Sequence, residues 1–494
     1  MWGRVSTRQI LGVGLVVFLI TSFTSIGYHH SDEHWQLLEF ANFKLGRSPE
    51  HSLASEYRKE MRSAFQPALA YAAIILCESV DIKSPFTIAL VLRIISSLLA
   101  WLAFAMLVLK SRQLGIVESS QKMLALVSLL LWFIPYTSCR FSNENWSGFL
   151  FCFGLLAAAT NEKCTSKQFF FSGLLIGLSY LCRFQIVFAI LGLLVWLLFI
   201  KKIQLQKVLV LVCGLLFMVG VGFILDKWFY GHFTYTAYNY FYVNLVEGVA
   251  ASFGVSPWWF YFQMIFESAA APLSVLILIN YFFSLYKQPT HLVHVVVLFF
   301  LIGHSLVGHK ELRFLFPMVY FLPILLVLGY QTAMERWKDI VVKKWARLFL
   351  RIVVIENSVL LIVIVFFKPA EETTLFNRFV YELASKQSVT IFYLKEDPYQ
   401  FGDQRQYFYF PKGLTLKKIE NELSLAEFKK SNTTEKILIY DDAFFPSEGV
   451  KLLIGKNVYR TFPGWITRFN VGNWVSRAKA WSLYELKDGR SLYE

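Results

Sequence analysis

Apolar runs separated by short polar turns recur along the first three quarters of the chain, and their lengths set the first expectation. A helix crossing a hydrocarbon core of ~30 Å needs roughly 17 to 25 apolar residues. Eleven stretches approach that requirement, near 10–26, 85–109, 123–138, 146–160, 169–182, 184–200, 208–225, 264–286, 291–308, 314–330 and 348–367. The pattern changes at Lys368. From there to Glu494, strand-like runs (Val389 to Leu394, Gln406 to Phe410, Lys436 to Tyr440, Asn457 to Phe462, Ala480 to Leu486) alternate with polar helical sequence such as Leu416 to Lys430. The pattern predicts an α-helical polytopic membrane protein over residues 1–367 and a small α+β domain over 368–494.

Composition supports this, since 494 residues that are 56% hydrophobic and only 17% charged exclude an ordinary soluble protein of several domains. Every second loop is basic, as at Lys110, Arg112 and Lys122, or Lys201, Lys202 and Lys207, or Arg336 to Arg351. Short cytoplasmic loops carry that excess, so the amino terminus is expected in the cytosol and the tail on the extracytoplasmic side. The net charge of +14 then reads as topology and contact with anionic membrane lipids; no basic-aromatic groove sequence indicates a nucleic-acid partner. The six cysteines lie in or beside spans, which implies no disulfide framework. Ile10 to Ile26 lacks a small-residue cleavage site before the following motif and is expected to remain as an anchor.

The conspicuous polar clusters all fall on the outer face of this scheme. The external segment from 27 to 84 opens with His29-His30-Ser31-Asp32-Glu33-His34, and Asp32 to Lys44 is expected to form a surface helix with Asp32, Gln36 and Glu39 on one side. Arg62-Ser63, Arg140 to Glu144, Arg183, Asp226 and His309-Lys310-Glu311-Leu312-Arg313 follow. Ion pairs between helix ends explain any one of them. Together they match what transfer from a lipid phosphate-sugar needs: a carboxylate to deprotonate the attacking hydroxyl and cations to stabilise the departing phosphate. Asp32 or Glu33 suits the first task, and Arg62, Arg140, Arg183, His309, Lys310 and Arg313 suit the second. The aromatic loop 226–263, with Tyr230, Tyr235, Tyr238, Tyr240, Trp258 and Trp259, reads equally as an interfacial belt or as sugar-stacking rings.

These motifs resemble those of glycosyltransferase family 22, the membrane mannosyltransferases acting on GPI-anchor precursors and lipid-linked oligosaccharide. His30, Asp32 and Glu33 match the family's His-Pro-Asp-Glu element, with Ser31 in place of the proline. Glu56-Tyr57 and Arg62-Ser63 resemble its Trp-Glu-aromatic and Arg-Ser elements, with Ser55 where tryptophan is usual. Arg140-Phe141-Ser142-Asn143 is a shortened Arg-Thr-Leu-Ser-Asn element, and Asp226 with Tyr230-Gly231 is similar to an Asp…Tyr-Gly element. His309-Lys310-Glu311-Leu312-Arg313-Phe314 matches His-Lys-Glu-x-Arg-Phe most specifically. The resemblance covers about residues 10–330. It implies a GT-C fold and an inverting transferase that moves a sugar, mannose above all, from polyprenyl- or dolichol-phosphate to a lipid-linked or glycan acceptor. It implies Asp32 and Glu33 as catalytic residues, His309, Lys310, Arg313, Arg62, Arg140 and Arg183 on the donor phosphate, and His30, Gln36, Glu39, Glu56, Asn143 and Asp226 on substrate.

A transporter or lipid flippase is the rival reading; it predicts ionisable residues at mid-membrane and paired broken helices rather than charges at span ends. His29, His30, Asp32 and His34 resemble a divalent-metal set, but adjacent ligands on a helix end diverge, so a metal-free site is favoured over a divalent-metal one and metal dependence stays open. Asn145-Trp146-Ser147 and Asn432-Thr433-Thr434 are glycosylation acceptors if the compartment is the ER. Short loops and the lack of an ER retrieval sequence favour a bacterial inner membrane over the ER.

Overall fold

The structure, a computed structural model, describes residues 5–159, 165–393, 395–402, 404–419, 436–443, 446, 451, 454–476 and 479–486. The chain forms two compact units. The first comprises Met1–Ser25, Ser55–Asp81 and Ile88–Phe367; the second comprises Ile26–Ala54, Ile82–Thr87 and Lys368–Glu494.

Helix covers most of each of the eleven expected spans, although those near 10–26 and 85–109 reach into the second unit and those near 123–138 and 264–286 are broken at 131–133 and 269–272. Among the described residues Thr7–Thr24, Pro85–Leu109, Leu205–Tyr230 and Lys344–Val365 are each long and apolar enough to cross a membrane, and two bent pairs raise that number to six. The pairs are Leu273–Lys287 with Leu292–Leu306, bent by 116°, and Leu312–Tyr320 with Leu322–Arg336, bent by 67°. Phe65–Ser79, expected within an external segment, is a 15-residue apolar helix. Its Ala64 N-cap is held by Asp226, whose Oδ1 accepts the Ala64 N–H at 2.7 Å while Oδ2 accepts from the Thr236 hydroxyl at 2.8 Å.

Without a hydrophobic drive between helices in lipid, close packing and internal hydrogen bonds must hold such a bundle. Ser166–Cys182 and Leu205–Tyr230 meet through glycine: a Cβ on Gly173 would stand 2.0 Å from the Leu211 carbonyl oxygen, and one on Gly214 2.3 Å from that of Phe170. On its other side Ser166–Cys182 joins Asn143–Ala159, where the Ser179 hydroxyl donates to the Ser147 carbonyl at 2.7 Å and the Ser172 hydroxyl to that of Gly154 at 2.6 Å. Asn145, expected as a glycosylation acceptor only if the compartment is the ER, is buried. Its Nδ2 donates to the carbonyls of Ser138 and Arg140, both at 2.8 Å, and its Oδ1 accepts from the Tyr320 hydroxyl at 2.6 Å, so the amide is consumed by folding.

The second unit is α+β, as expected. Its strands are β1 (Val389–Tyr393), β2 (Gln400–Phe401), β3 (Gln404–Arg405), β4 (Leu414–Lys418), β5 (Lys436–Ala443), β6 (Ile454–Arg460) and β7 (Lys479–Leu486). The main sheet has the order β4-β1-β5-β7-β6, with β1 parallel to β4 and β5, and β7 antiparallel to β5 and β6. Phe376, Val380 and Ala384, spaced by four along helix Glu371–Ala384, bury one stripe against Val389, Ile391, Leu438, Tyr440 and Leu483. Two expectations fail here. Gln406 to Phe410 is not a strand, because its rings pack individually on other elements, and Leu416 to Lys418 belongs to β4 rather than to a helix. The rest of that expected helix and Asn432-Thr433-Thr434 lie outside the described residues.

The glycine contact yields a stability test. Gly173→Leu forces the two backbones apart and should cost ~1–3 kcal/mol, as overpacking does. A lowered unfolding midpoint of the purified protein in detergent is expected; an unchanged midpoint contradicts the close crossing.

Candidate active site

In the first unit, one ion network joins three of the motifs. Glu144 sits in the first turn of Asn143–Ala159, where the helix dipole favours an anion. Arg183 is the extended C-cap of Ser166–Cys182 and sends its guanidinium back to that carboxylate, Nη1 to Oε1 at 2.6 Å, with both side chains buried. Arg313 approaches the same Oε1 at 3.9 Å. It also grips Glu311 in a fork, Nε to Oε2 at 2.5 Å and Nη2 to Oε1 at 3.2 Å. His309 Nε2 lies 2.9 Å from Glu311 Oε1. The Phe314 ring faces both guanidiniums, 4.8 Å from Arg183 and 5.5 Å from Arg313.

The alternation of two carboxylates with two guanidiniums neutralises charges that would otherwise be costly to bury. Arg183 nonetheless keeps Nε and Nη2 without hydrogen-bond partners, and the nearby Tyr261 hydroxyl is likewise buried and unpartnered. Such donors suit an anionic oxygen ligand.

The remaining cations are placed differently. Lys310 donates to the carbonyls of Ser256 at 3.0 Å, Val307 at 2.6 Å and Gly308 at 3.4 Å, and burial lowers its pKa from the ordinary lysine value. It braces the loop rather than joining the network. Arg140 is buried on the Ser25 hydroxyl and stacks 4.6 Å from the Tyr136 ring. Arg62 faces the Tyr240 ring at 5.4 Å and the Glu56 carboxylate at 3.8 Å; the Tyr240 hydroxyl in turn accepts from Gln185, two residues beyond Arg183. Asn143 is half-buried beside Glu144, and Asp226 is the helix brace already described. Glu144 and Glu311 were inside recognised motifs without an assigned role; an acid set among cations was the available signal. Tyr240 and Tyr261 had none beyond aromatic richness.

The acidic motif lies in the second unit. Its helix begins at Asp32 and passes through a π turn, His34–Leu38, into Glu39–Lys44. Ser31, at the position of the family's proline, supplies the carbonyl that receives the N–H groups of His34 and Trp35, both at 2.9 Å. His30 Nδ1 accepts the Asp32 N–H at 3.2 Å and lies 3.4 Å from Asp32 Oδ1. Asp32 and Glu33 are half-buried. Gln36 and Glu39, expected with Asp32 on one side of a surface helix, are buried at 2% and 1% exposure, because this helix packs within the unit on that side too. His34 turns inward to Glu39, Nε2 to Oε1 at 2.9 Å, so it does not converge with His30 and Asp32. No group of three His, Cys, Asp or Glu side chains among the described residues is arranged to hold a metal ion.

An integral bundle with buried cations and a small α+β unit describes the GT-C membrane glycosyltransferase class, and solved structures agree on the fold. ArnT from Cupriavidus metallidurans, bound to undecaprenyl phosphate, superposes with a TM-score of 0.51 at 12% identity over 96% of this chain and 97% of that one. The Archaeoglobus fulgidus oligosaccharyltransferase with a tethered acceptor peptide gives 0.51 at 10% identity over 89% of this chain and 69% of that one. The Alg9-like mannosyltransferase family model matches residues 10–414, and the chain belongs to that family. GPI mannosyltransferase 3 of Candida albicans is 25% identical over 319 residues, 63% of this chain and 62% of that protein. A probable Dol-P-Man:Man(7)GlcNAc(2)-PP-Dol alpha-1,6-mannosyltransferase of Schizosaccharomyces pombe is 30% identical over 174 residues, 35% of this chain and 31% of that protein. The chain thus matches less than two thirds of the length of these relatives.

The ion network makes its own prediction. Glu144→Gln leaves Arg183 buried without its counter-charge, which costs ~3–5 kcal/mol when one partner of a buried pair is removed. Replacing both partners, as Glu144→Met with Arg183→Met, should recover much of that loss. Chemical denaturation of the two variants checks it; equal stability of Glu144→Gln and wild type contradicts a buried pair.

Proposed function

We propose that this chain is a mannosyltransferase taking mannose from a polyprenyl- or dolichol-phosphate carrier to a lipid-linked or glycan acceptor at the extracytoplasmic face. Asp32, with Glu33 beside it, takes the proton from the acceptor hydroxyl as that oxygen attacks the anomeric carbon. A single displacement inverts the anomeric centre. Arg313, Arg183 and His309 hold the phosphate that leaves, where preformed charge inside a low-dielectric site is most effective. Lys310 keeps the loop carrying His309 and Arg313 in place, and Arg62 and Glu56 bind on the Tyr240 side. Membrane lipids, the lipid donor and the acceptor are the partners. The observation that carries the reading is the fork of Arg313 on Glu311 beside the Glu144–Arg183 pair, in a chain whose family transfers mannose.

Two measurements test the assignment. Arg313→Lys replaces a planar fork by a point charge and should weaken binding of both the lipid-phosphate mannose and free polyprenyl phosphate by about 1.5–3 kcal/mol. Unchanged affinity and unchanged single-turnover transfer remove Arg313 from the donor. Asp32→Asn should lower turnover by roughly a hundredfold or more in folded protein. Near-normal rates in Asp32→Asn, Glu33→Gln and the double variant refute the base assignment.

The face is tested by thiol labelling in sealed vesicles. A cysteine at exposed Val471 should react with an impermeant reagent from the outer side, and one at exposed Gln204 only after permeabilisation. The opposite pattern overturns the orientation.

A further inference from the structure

Within the second unit, the segment 406–410 packs directly on the helix that carries Asp32 and Glu33. Glu39 Oε1 accepts the Phe408 backbone N–H at 2.9 Å as well as the His34 Nε2–H, and Oε2 accepts from the Ser48 hydroxyl at 3.3 Å. The Tyr409 ring stacks on His34 at 5.3 Å with planes 10° apart, Tyr28 stacks on it at 5.9 Å, and Phe408 meets its edge at 6.2 Å. The next residue, Trp35, lies against Phe401 at 6.3 Å. The segment is itself anchored: the Gln406 N–H donates to the Tyr399 carbonyl at 2.9 Å, and its Oε1 accepts from Asn377 Nδ2 at 2.8 Å. Asn377 belongs to helix Glu371–Ala384, which covers the sheet. A buried carboxylate with three hydrogen bonds is a costly group for a mere filler, and two of its donors, Ser48 and Phe408, lie outside its own helix. The family match ends at residue 414, so this segment lies inside it, although most of the sheet lies beyond.

We infer that Glu39 is a positioning residue for mannosyl transfer: with His34 and residues 406–409 it fixes the helix bearing Asp32 and Glu33. The inference rests on Asp32 or Glu33 acting as base. It assigns Glu39 a role through other residues, not contact with substrate.

The test uses full-length protein in lipid nanodiscs, with Glu39→Ala, Glu39→Gln and Tyr409→Ala beside wild type. Misplacing a base by about 1 Å costs up to roughly a hundredfold in rate. Glu39→Ala and Tyr409→Ala should therefore lower kcat by about tenfold or more, with the affinity for polyprenyl phosphate unchanged, because the proposed phosphate residues belong to the other unit. Glu39→Gln, which retains an acceptor for Phe408 and His34, should recover most of kcat. Wild-type kcat in folded Glu39→Ala overturns the inference, as does a Glu39→Gln variant no better than Glu39→Ala, which would point to the charge itself. A parallel loss of kcat and lipid affinity overturns it in favour of a general structural role. If Glu39→Ala does not fold, Tyr409→Ala, which removes the ring stacked on His34 and leaves the Glu39 carboxylate in place, decides by the same criteria. Full activity in the Asp32→Asn, Glu33→Gln double variant instead overturns the base assignment and leaves the packing result standing on its own.

Discussion

Charge neutralisation inside a low-dielectric bundle is the constraint on which the arrangement depends. Glu144, Arg183, Arg313 and Glu311 come from three separate chain segments, and none could be buried alone. Placing the acids between the guanidiniums resolves this and also leaves the Arg183 Nε and Nη2 groups unpartnered. The same network that makes burial tolerable thus holds donors oriented before any ligand arrives, which is how a site lowers the reorganisation needed during reaction. Backbone geometry serves that end: an extended Arg183 ends one helix, and a helix N-terminus presents Glu144.

The second unit solves a similar problem on a smaller scale. Glu39 is buried because three donors converge on it, and those donors tie the acidic helix to Ser48 and to the segment before β4. Aromatic stacking on His34 from Tyr28 and Tyr409 closes the remaining gaps. The acidic motif is therefore held by sequence nearly four hundred residues away, Phe408 reaching Glu39 across 369 positions.

Much of the architecture was legible in the chain because membrane helices announce themselves locally. Apolar runs foretold helix over most of each expected span, and the contiguous run from His309 to Arg313 displayed its charges together. What failed were matters of partnership. The spacing grouped Asp32, Gln36 and Glu39, but a polar stripe looks the same whether it faces water or a polar interior. Lys310 reads as a phosphate ligand in sequence, yet three carbonyls accept its hydrogen bonds. Asn145 reads as a glycosylation acceptor until Tyr320, from 175 residues away, occupies its amide oxygen. The consecutive aromatics from Tyr407 to Phe410 imitate a strand because aromatic enrichment does not reveal whether the backbone has a neighbour to pair with.

The most direct test of the account is transfer by the purified wild-type protein in lipid nanodiscs, supplied with radiolabelled mannose on polyprenyl or dolichyl phosphate and with a panel of mannose-bearing glycolipid acceptors. The account predicts mannose transfer from the lipid-phosphate donor alone, with free lipid phosphate released in equal amount and the anomeric configuration of the product opposite to that of the donor. Transfer only from a nucleotide sugar, retention of configuration, or movement of the lipid across the bilayer without any sugar transfer contradicts it.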